Sequence, residues 1–177
     1  MTLRPVAALA ALLLPALLAC SPKYNWRDYA SPDASYRVTF PAKPTTFSRD
    51  IDLDGTPVTM TMTAAEVDGA TFAVGAAQAQ DPARAQAALE AMKLALLRNI
   101  GASAQQQASA SASATSGGEN RTALDVDATG NANGAPMRLV GHFESRGKRF
   151  YQVIVMGRPE AVPPEQLEQF FTSFKLQ

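Results

Sequence analysis

Val58, Met60 and Met62 alternate strictly with Thr59, Thr61 and Thr63. A period of two puts successive side chains on opposite faces of an extended strand, so this segment needs a sheet, with its methionines toward a core. The same period runs through Tyr36, Val38 and Phe40, where Pro41 ends it, and through Phe47, Arg49, Ile51 and Leu53. Asp54-Gly55 and Asp68-Gly69 supply the positive φ that tight hairpins require, and Thr71-Phe72-Ala73-Val74 follows the second of them. The expectation is four consecutive antiparallel strands.

The period changes after Asp81-Pro82. Aspartate accepts hydrogen bonds from free amides at a helix start, and proline tolerates the first helical position. Ala85, Leu89, Met92, Leu96 and Ile100 then recur at helical spacing up to Gly101. This predicts a helix lying across one face of the sheet, with Arg84, Lys93 and Arg98 turned to water. Residues 102–118 are rich in Ala, Ser and Gln and lack large apolar side chains. Burial there cannot offset the entropy of ordering, so a mobile low-complexity loop is expected.

Ala123 to Ala128 alternates weakly, and Asp127 to Gly134 is full of turn residues. Met137, Leu139, Gly141 and Phe143 share one face of the next strand, and Ser145-Arg146-Gly147-Lys148 forms a hairpin tip. Phe150 to Met156 is apolar on both faces, the mark of a central strand. Pro163-Pro164-Glu165 opens a last helix, striped with Leu167, Phe170, Phe171 and Phe174. The fold class is therefore α+β: an antiparallel sheet of about seven strands with two packed helices. It is expected as one domain over residues 35–177.

The amino terminus predicts an address. Arg4 precedes an apolar run from Val6 to Leu18, too short for a membrane span and interrupted by Pro15, so residues 1–19 fit a signal peptide. Leu17-Leu18-Ala19-Cys20 resembles the lipobox of bacterial lipoproteins, with Leu18 bulkier than the residue usual at its place. That resemblance implies cleavage before Cys20 and acylation of its thiol, with membrane lipid as the first partner. Ser21 after the anchor then implies the outer membrane, facing the periplasm. Residues 20–34 become a lipidated tether and an aromatic segment. Tyr24, Trp26 and Tyr29 are expected to pack over the start of the sheet rather than among lipid headgroups.

Tyr36-Arg37-Val38-Thr39-Phe40-Pro41-Ala42-Lys43-Pro44 resembles the opening of PsbP-like and DcrB-like domains. Phe170-Phe171-Thr172-Ser173-Phe174-Lys175-Leu176 resembles their closing helix. The group includes bacterial lipoproteins, some opening with a Tyr-x-Trp-Arg segment like Tyr24 to Arg27. The resemblance implies an antiparallel sheet flanked by helices and carries no active-site residue with it.

Chemistry is harder to find. With 16 Lys and Arg against 16 Asp and Glu, the chain lacks the basic excess that phosphate backbones demand, so nucleic acid is not an expected partner. Asp50-Ile51-Asp52-Leu53-Asp54-Gly55 and Asp125-Val126-Asp127-Ala128-Thr129-Gly130 begin like calcium loops. Thr61 and Pro136 stand where the bidentate carboxylate belongs, so these are read as solvated aspartates. His142 is the only histidine. It is a candidate base beside Glu144, but more simply a half-exposed strand residue.

Arg146, Lys148 and Arg149 form a possible contact surface for anionic headgroups or an acidic partner, set against the plainer reading of a solvated turn. Met60, Met62 and Met92 line a soft pocket or fill the core, and core is favoured. No enzyme, metal or cofactor is expected. The leading expectation is a non-enzymatic binding or assembly accessory for an envelope protein partner. The alternative is a carrier of a small hydrophobic ligand or lipid.

Overall fold

A computed structural model of the chain describes residues 22–53, 55–103, 106, 114–116 and 121–177. Leu17, Leu18, Ala19 and Cys20, expected as a lipobox, lie outside the described residues, as does most of the 102–118 segment.

The alternating segments are strands. β1 (Arg27–Ala30), β2 (Tyr36–Phe40), β3 (Thr45–Leu53), β4 (Thr56–Val67) and β5 (Ala70–Gln78) precede helix α1 (Pro82–Asn99). After it come β6 (Ala114–Ser116), β7 (Arg121–Ala132), β8 (Ala135–Arg146) and β9 (Arg149–Gly157). A 3-10 turn (Pro159–Ala161), helix α2 (Pro164–Ser173) and a short β10 (Lys175–Leu176) finish the chain. The described residues form two antiparallel sheets, ordered β1-β2-β10 and β3-β4-β5-β9-β8-β7-β6. The architecture of the described residues is α+β, with helices α1 and α2 packed on antiparallel sheets.

The four-strand expectation needs correction at its first member. β2 pairs with β1 and β10, not with β3. Alternation shows that Tyr36, Val38 and Phe40 are buried, but it is silent on which strand lies beside them. The aromatic segment does pack over the sheet, and it enters as strand β1, with Trp26 and Tyr29 against the core. Two further corrections concern the middle of the chain. Residues 114–116, assigned to a loop, pair with Leu124, Ala123 and Thr122 of β7. β7 itself runs to Ala132, so the turn residues after Asp127 lie in a strand, and the reversal comes at Asn133-Gly134.

α1 begins as expected, with the Asp81 carboxylate accepting the Arg84 amide at 2.8 Å. It closes with the Ala102 amide on the Leu97 carbonyl and the Gly101 amide on that of Arg98, both at 2.9 Å. Gly101 has φ +66°, the left-handed conformation this Schellman ending requires. Arg84 and Arg98 face water, but Lys93 does not: its side chain is fully buried and its ammonium meets Glu90. The buried row is Ala85, Leu89, Lys93 and Leu97, spaced four apart, and Leu96 is only partly buried. The aliphatic stem of a lysine serves as core packing while its tip reaches a carboxylate at the helix margin.

The large sheet is covered on both faces. α1 packs over one face, on a core containing Met60, Met62, Met92, Leu124, Phe143 and Ile154. The methionines are thus gap-fillers, as favoured from the sequence. The small sheet and α2 cover part of the other face, on Phe72, Val74, Tyr151, Val153 and Val155. Polar contacts fasten this second layer. Tyr36 donates to the Thr63 hydroxyl at 3.2 Å, Tyr151 to the Ala34 carbonyl at 2.9 Å, and the Thr39 amide to Ser173 Oγ at 2.9 Å. Burial raises the Tyr36 phenol to about 12, so it remains a donor at any physiological pH.

Candidate binding groove

The second layer stops short of β7. Its buried residues sit over β4, β5 and β9, and β10, at the edge of the small sheet, is only two residues long. The outer part of the face, on β7 and β8, is left as the floor of an open groove of about 740 Å³. α2 and β10 form the opposite wall with Phe171, Phe174, Lys175 and Leu176.

Strand register determines what lines the floor. Asn133 at φ +53° and Gly134 at φ +80° make the reversal between β7 and β8. Residues directly opposite in a sheet share a face, so this turn places Arg121 beside Arg146, Asp125 beside His142, and Asp127 beside Val140. β9 extends the rows, setting Arg149 beside Arg146 and Tyr151 beside Glu144.

The floor is knitted by ion pairs. His142 Nδ1 lies 2.7 Å from Asp125 Oδ1 and Nε2 lies 3.4 Å from Glu144 Oε2. Arg121 Nε donates to Glu144 Oε1 at 2.7 Å. Nearby, Arg138 grips Asp127 with two bonds of 3.0 and 2.8 Å. The hydrogen bond to Glu144 is the main cause that raises the His142 pKa, burial opposes it, and Asp125 reinforces it. Asp125 is nearer but its side chain is 77% exposed against 7% for Glu144, so water screens its charge more. Burial alone would raise the Glu144 pKa, but His142 and Arg121 outweigh it and hold the carboxyl below its usual value.

A carboxylate at each nitrogen favours the doubly protonated form of the imidazole. In that form it has no free lone pair with which to act as a base or bind a metal. Among the described residues, no serine, threonine or cysteine lines the groove. Among the described residues, no group of His, Cys, Asp or Glu is arranged to hold a metal ion. Asp50 lies in β3, where it accepts from the Thr59 hydroxyl at 2.6 Å.

The three basic residues expected as a contact surface go to different tasks. Arg146 lines the groove, and Lys148 is exposed at the hairpin tip. Arg149 donates to the Asp33 carbonyl at 2.8 Å, tying β9 to the loop between β1 and β2. Arg121, Phe171 and Lys175 were not singled out as groove residues from the sequence. The Asn133-Gly134 dipeptide carried the missing signal, since fixing a hairpin there sets every pair along β7 and β8.

The His142–Glu144 pair predicts a pH window for stability. A raised histidine pKa contributes fully below its unfolded value of 6.5 and is lost as pH rises through the folded value. A lowered carboxyl pKa contributes above its unfolded value of 4.5 and is lost as pH falls through the folded value. Both contributions are complete between those two pH values. Urea midpoints of the wild type and of His142→Gln should differ most in that window and converge above it. A constant difference from pH 5 to pH 9 would show that His142 acts by packing alone.

No known protein family and no curated protein matches the chain. Among solved structures, a protein of Bacteroides thetaiotaomicron VPI-5482, determined at 1.50 Å resolution, superposes with a TM-score of 0.46 at 12% sequence identity. The alignment takes in 85% of this chain and 48% of that protein, so this chain spans about half its length.

Proposed function

We propose that the chain is a lipid-anchored, periplasm-facing binding protein of the bacterial outer membrane that holds a small amphipathic ligand and performs no chemistry of its own. The groove carries this reading. Its size lies in the range of ligand sites, roughly 300–1,000 Å³, and it sets ion-paired residues against an apolar wall of Phe171, Phe174 and Leu176. The carboxylates held against both nitrogens of His142 favour binding over catalysis. The anchor is Cys20, with Leu17, Leu18 and Ala19 as its recognition sequence. The opening and closing motifs resemble those of PsbP-like and DcrB-like domains, and we take the chain as one of that kind. The strands and helix bearing the two motifs pack together, with Phe40 and Phe170 ring centroids 5.5 Å apart.

A second reading, an assembly accessory for an envelope protein, is favoured by β3. This nine-residue strand is an open edge of the large sheet, and Phe47 on it is 50% exposed. Long exposed edges invite pairing with another chain.

One experiment separates the two. A photo-reactive phenylalanine analogue is placed at position 171 or 47 and activated in intact cells. A small-mass adduct at 171 is the expected result. Protein adducts at 47, with 171 silent in a folded protein, would replace the ligand reading by the accessory one.

A further inference from the structure

Two cations of the groove stand outside its ion pairs. Its carboxylates are Asp125, Asp127 and Glu144, and each is already held: Asp125 by His142, Asp127 by Arg138, and Glu144 by Arg121 and His142. Arg146 and Lys175 line the same groove and have no carboxylate partner among the described residues. Both are exposed: Arg146 is on β8 in the floor, and Lys175 on β10 borders the groove at the opposite wall, beside Arg37 of β2 and a second pocket that Arg37 lines. Phe171, Phe174 and Leu176 lie on that same wall.

Taking the groove as the binding site, we infer that its ligand is an anionic lipid whose phosphate headgroup is held by Arg146 and Lys175, with the adjoining acyl segment on the Phe171–Phe174 wall. A neutral apolar ligand would desolvate both cations and return nothing to them. A cationic ligand would meet unpaired positive charge. An acidic peptide strand would need backbone partners, and on the wall side of the groove β10 offers only Lys175 and Leu176. A phosphate with a hydrocarbon tail satisfies the cations and the aromatic wall together.

The test uses the full chain carrying Cys20→Ser, so that no acyl anchor competes for the groove. Dihexanoyl-phosphatidylglycerol, dihexanoyl-phosphatidylcholine and inorganic phosphate are titrated by calorimetry, the lipids below their micellar concentrations. The anionic lipid should bind about tenfold tighter than the zwitterionic one, a difference of about 1.4 kcal/mol. The double variant Arg146→Gln, Lys175→Gln should erase that preference while keeping its circular dichroism spectrum and weak phosphatidylcholine binding.

Equal affinity for both lipids, unchanged in the double variant, would overturn the headgroup assignment and leave the groove reading standing. Inorganic phosphate binding as tightly as the lipid would overturn the lipid assignment. If neither lipid binds, the inference fails. The groove reading fails with it only if the probe at position 171 is also silent.

Discussion

Replacing Phe170 by alanine should cost about 3–5 kcal/mol of stability, the range for deleting a fully buried aromatic side chain. Phe170 is 0% exposed and sits where three elements meet. Its ring lies 5.5 Å from Phe40 of β2, 5.3 Å from Phe72 of β5 in a T-shaped pair, and 5.7 Å from Phe171 beside it on α2. Such pairs contribute about 0.5–1.5 kcal/mol beyond simple burial, and alanine forfeits all of them. The cavity cannot collapse easily, because β5 is held in the sheet and β2 is held between β1 and β10. The same substitution loosens the groove wall, since Phe171 and Phe174 are carried by the helix that Phe170 pins. Phe171→Ala, at a half-buried position, should lose ligand with much less stability. Urea denaturation of both variants checks this. A loss below about 1 kcal/mol for Phe170→Ala would mean that α2 is not held to the sheets by this cluster.

How much of this was legible depended on whether a feature is local or relational. The hairpin β4–β5, the capped ends of α1, the central position of β9 and the aromatic stripe of α2 were readable, because each is written in adjacent residues. The second sheet was not. β2 meets β10 from the other end of the chain, and an alternating pattern looks the same whichever strand lies beside it. β1 was hidden for another reason: its residues Arg27–Ala30 are mostly exposed and carry no apolar alternation. Lys93 misled because residue type was weighed above position, and its place four residues from both Leu89 and Leu97 commits it to the buried row. The groove needed register. Asp125 and His142 are 2.7 Å apart only because Asn133-Gly134 turns the chain where it does. With the turn residues spread over Asp127 to Gly134, no pairing along β7 and β8 could be specified, and the clamp on His142 stayed invisible.

Gly130→Ala is expected to reverse the usual sign of such a change. Alanine in place of glycine ordinarily stabilises a strand, by about 0.5–1 kcal/mol. Here the end of α1 crosses β7 so closely that a Cβ on Gly130 would lie 2.0 Å from the Ile100 carbonyl oxygen and 2.8 Å from the Gly101 carbonyl carbon. These are backbone atoms of the helix ending, and no rotamer change moves them aside. Relief requires α1 to lift away from β7, loosening the packing of Leu97 and Ile100, both essentially buried. A loss of about 3 kcal/mol is expected, the upper range for overpacking a tight site. Gly134→Ala separates crowding from backbone conformation. Gly134 has φ +80° with open space around it, so its variant should pay only the left-handed penalty, about 1–2 kcal/mol. The reverse face of β7 carries Asp125 and Asp127, so displacing the strand should also disturb the clamp on His142. A histidine titration followed by NMR should then show its pKa falling toward the ordinary value in Gly130→Ala and unchanged in Gly134→Ala. If Gly130→Ala folds with wild-type stability and an unshifted His142, the helix crossing does not hold β7 in place, and the groove floor is set by the β7–β8 hairpin alone.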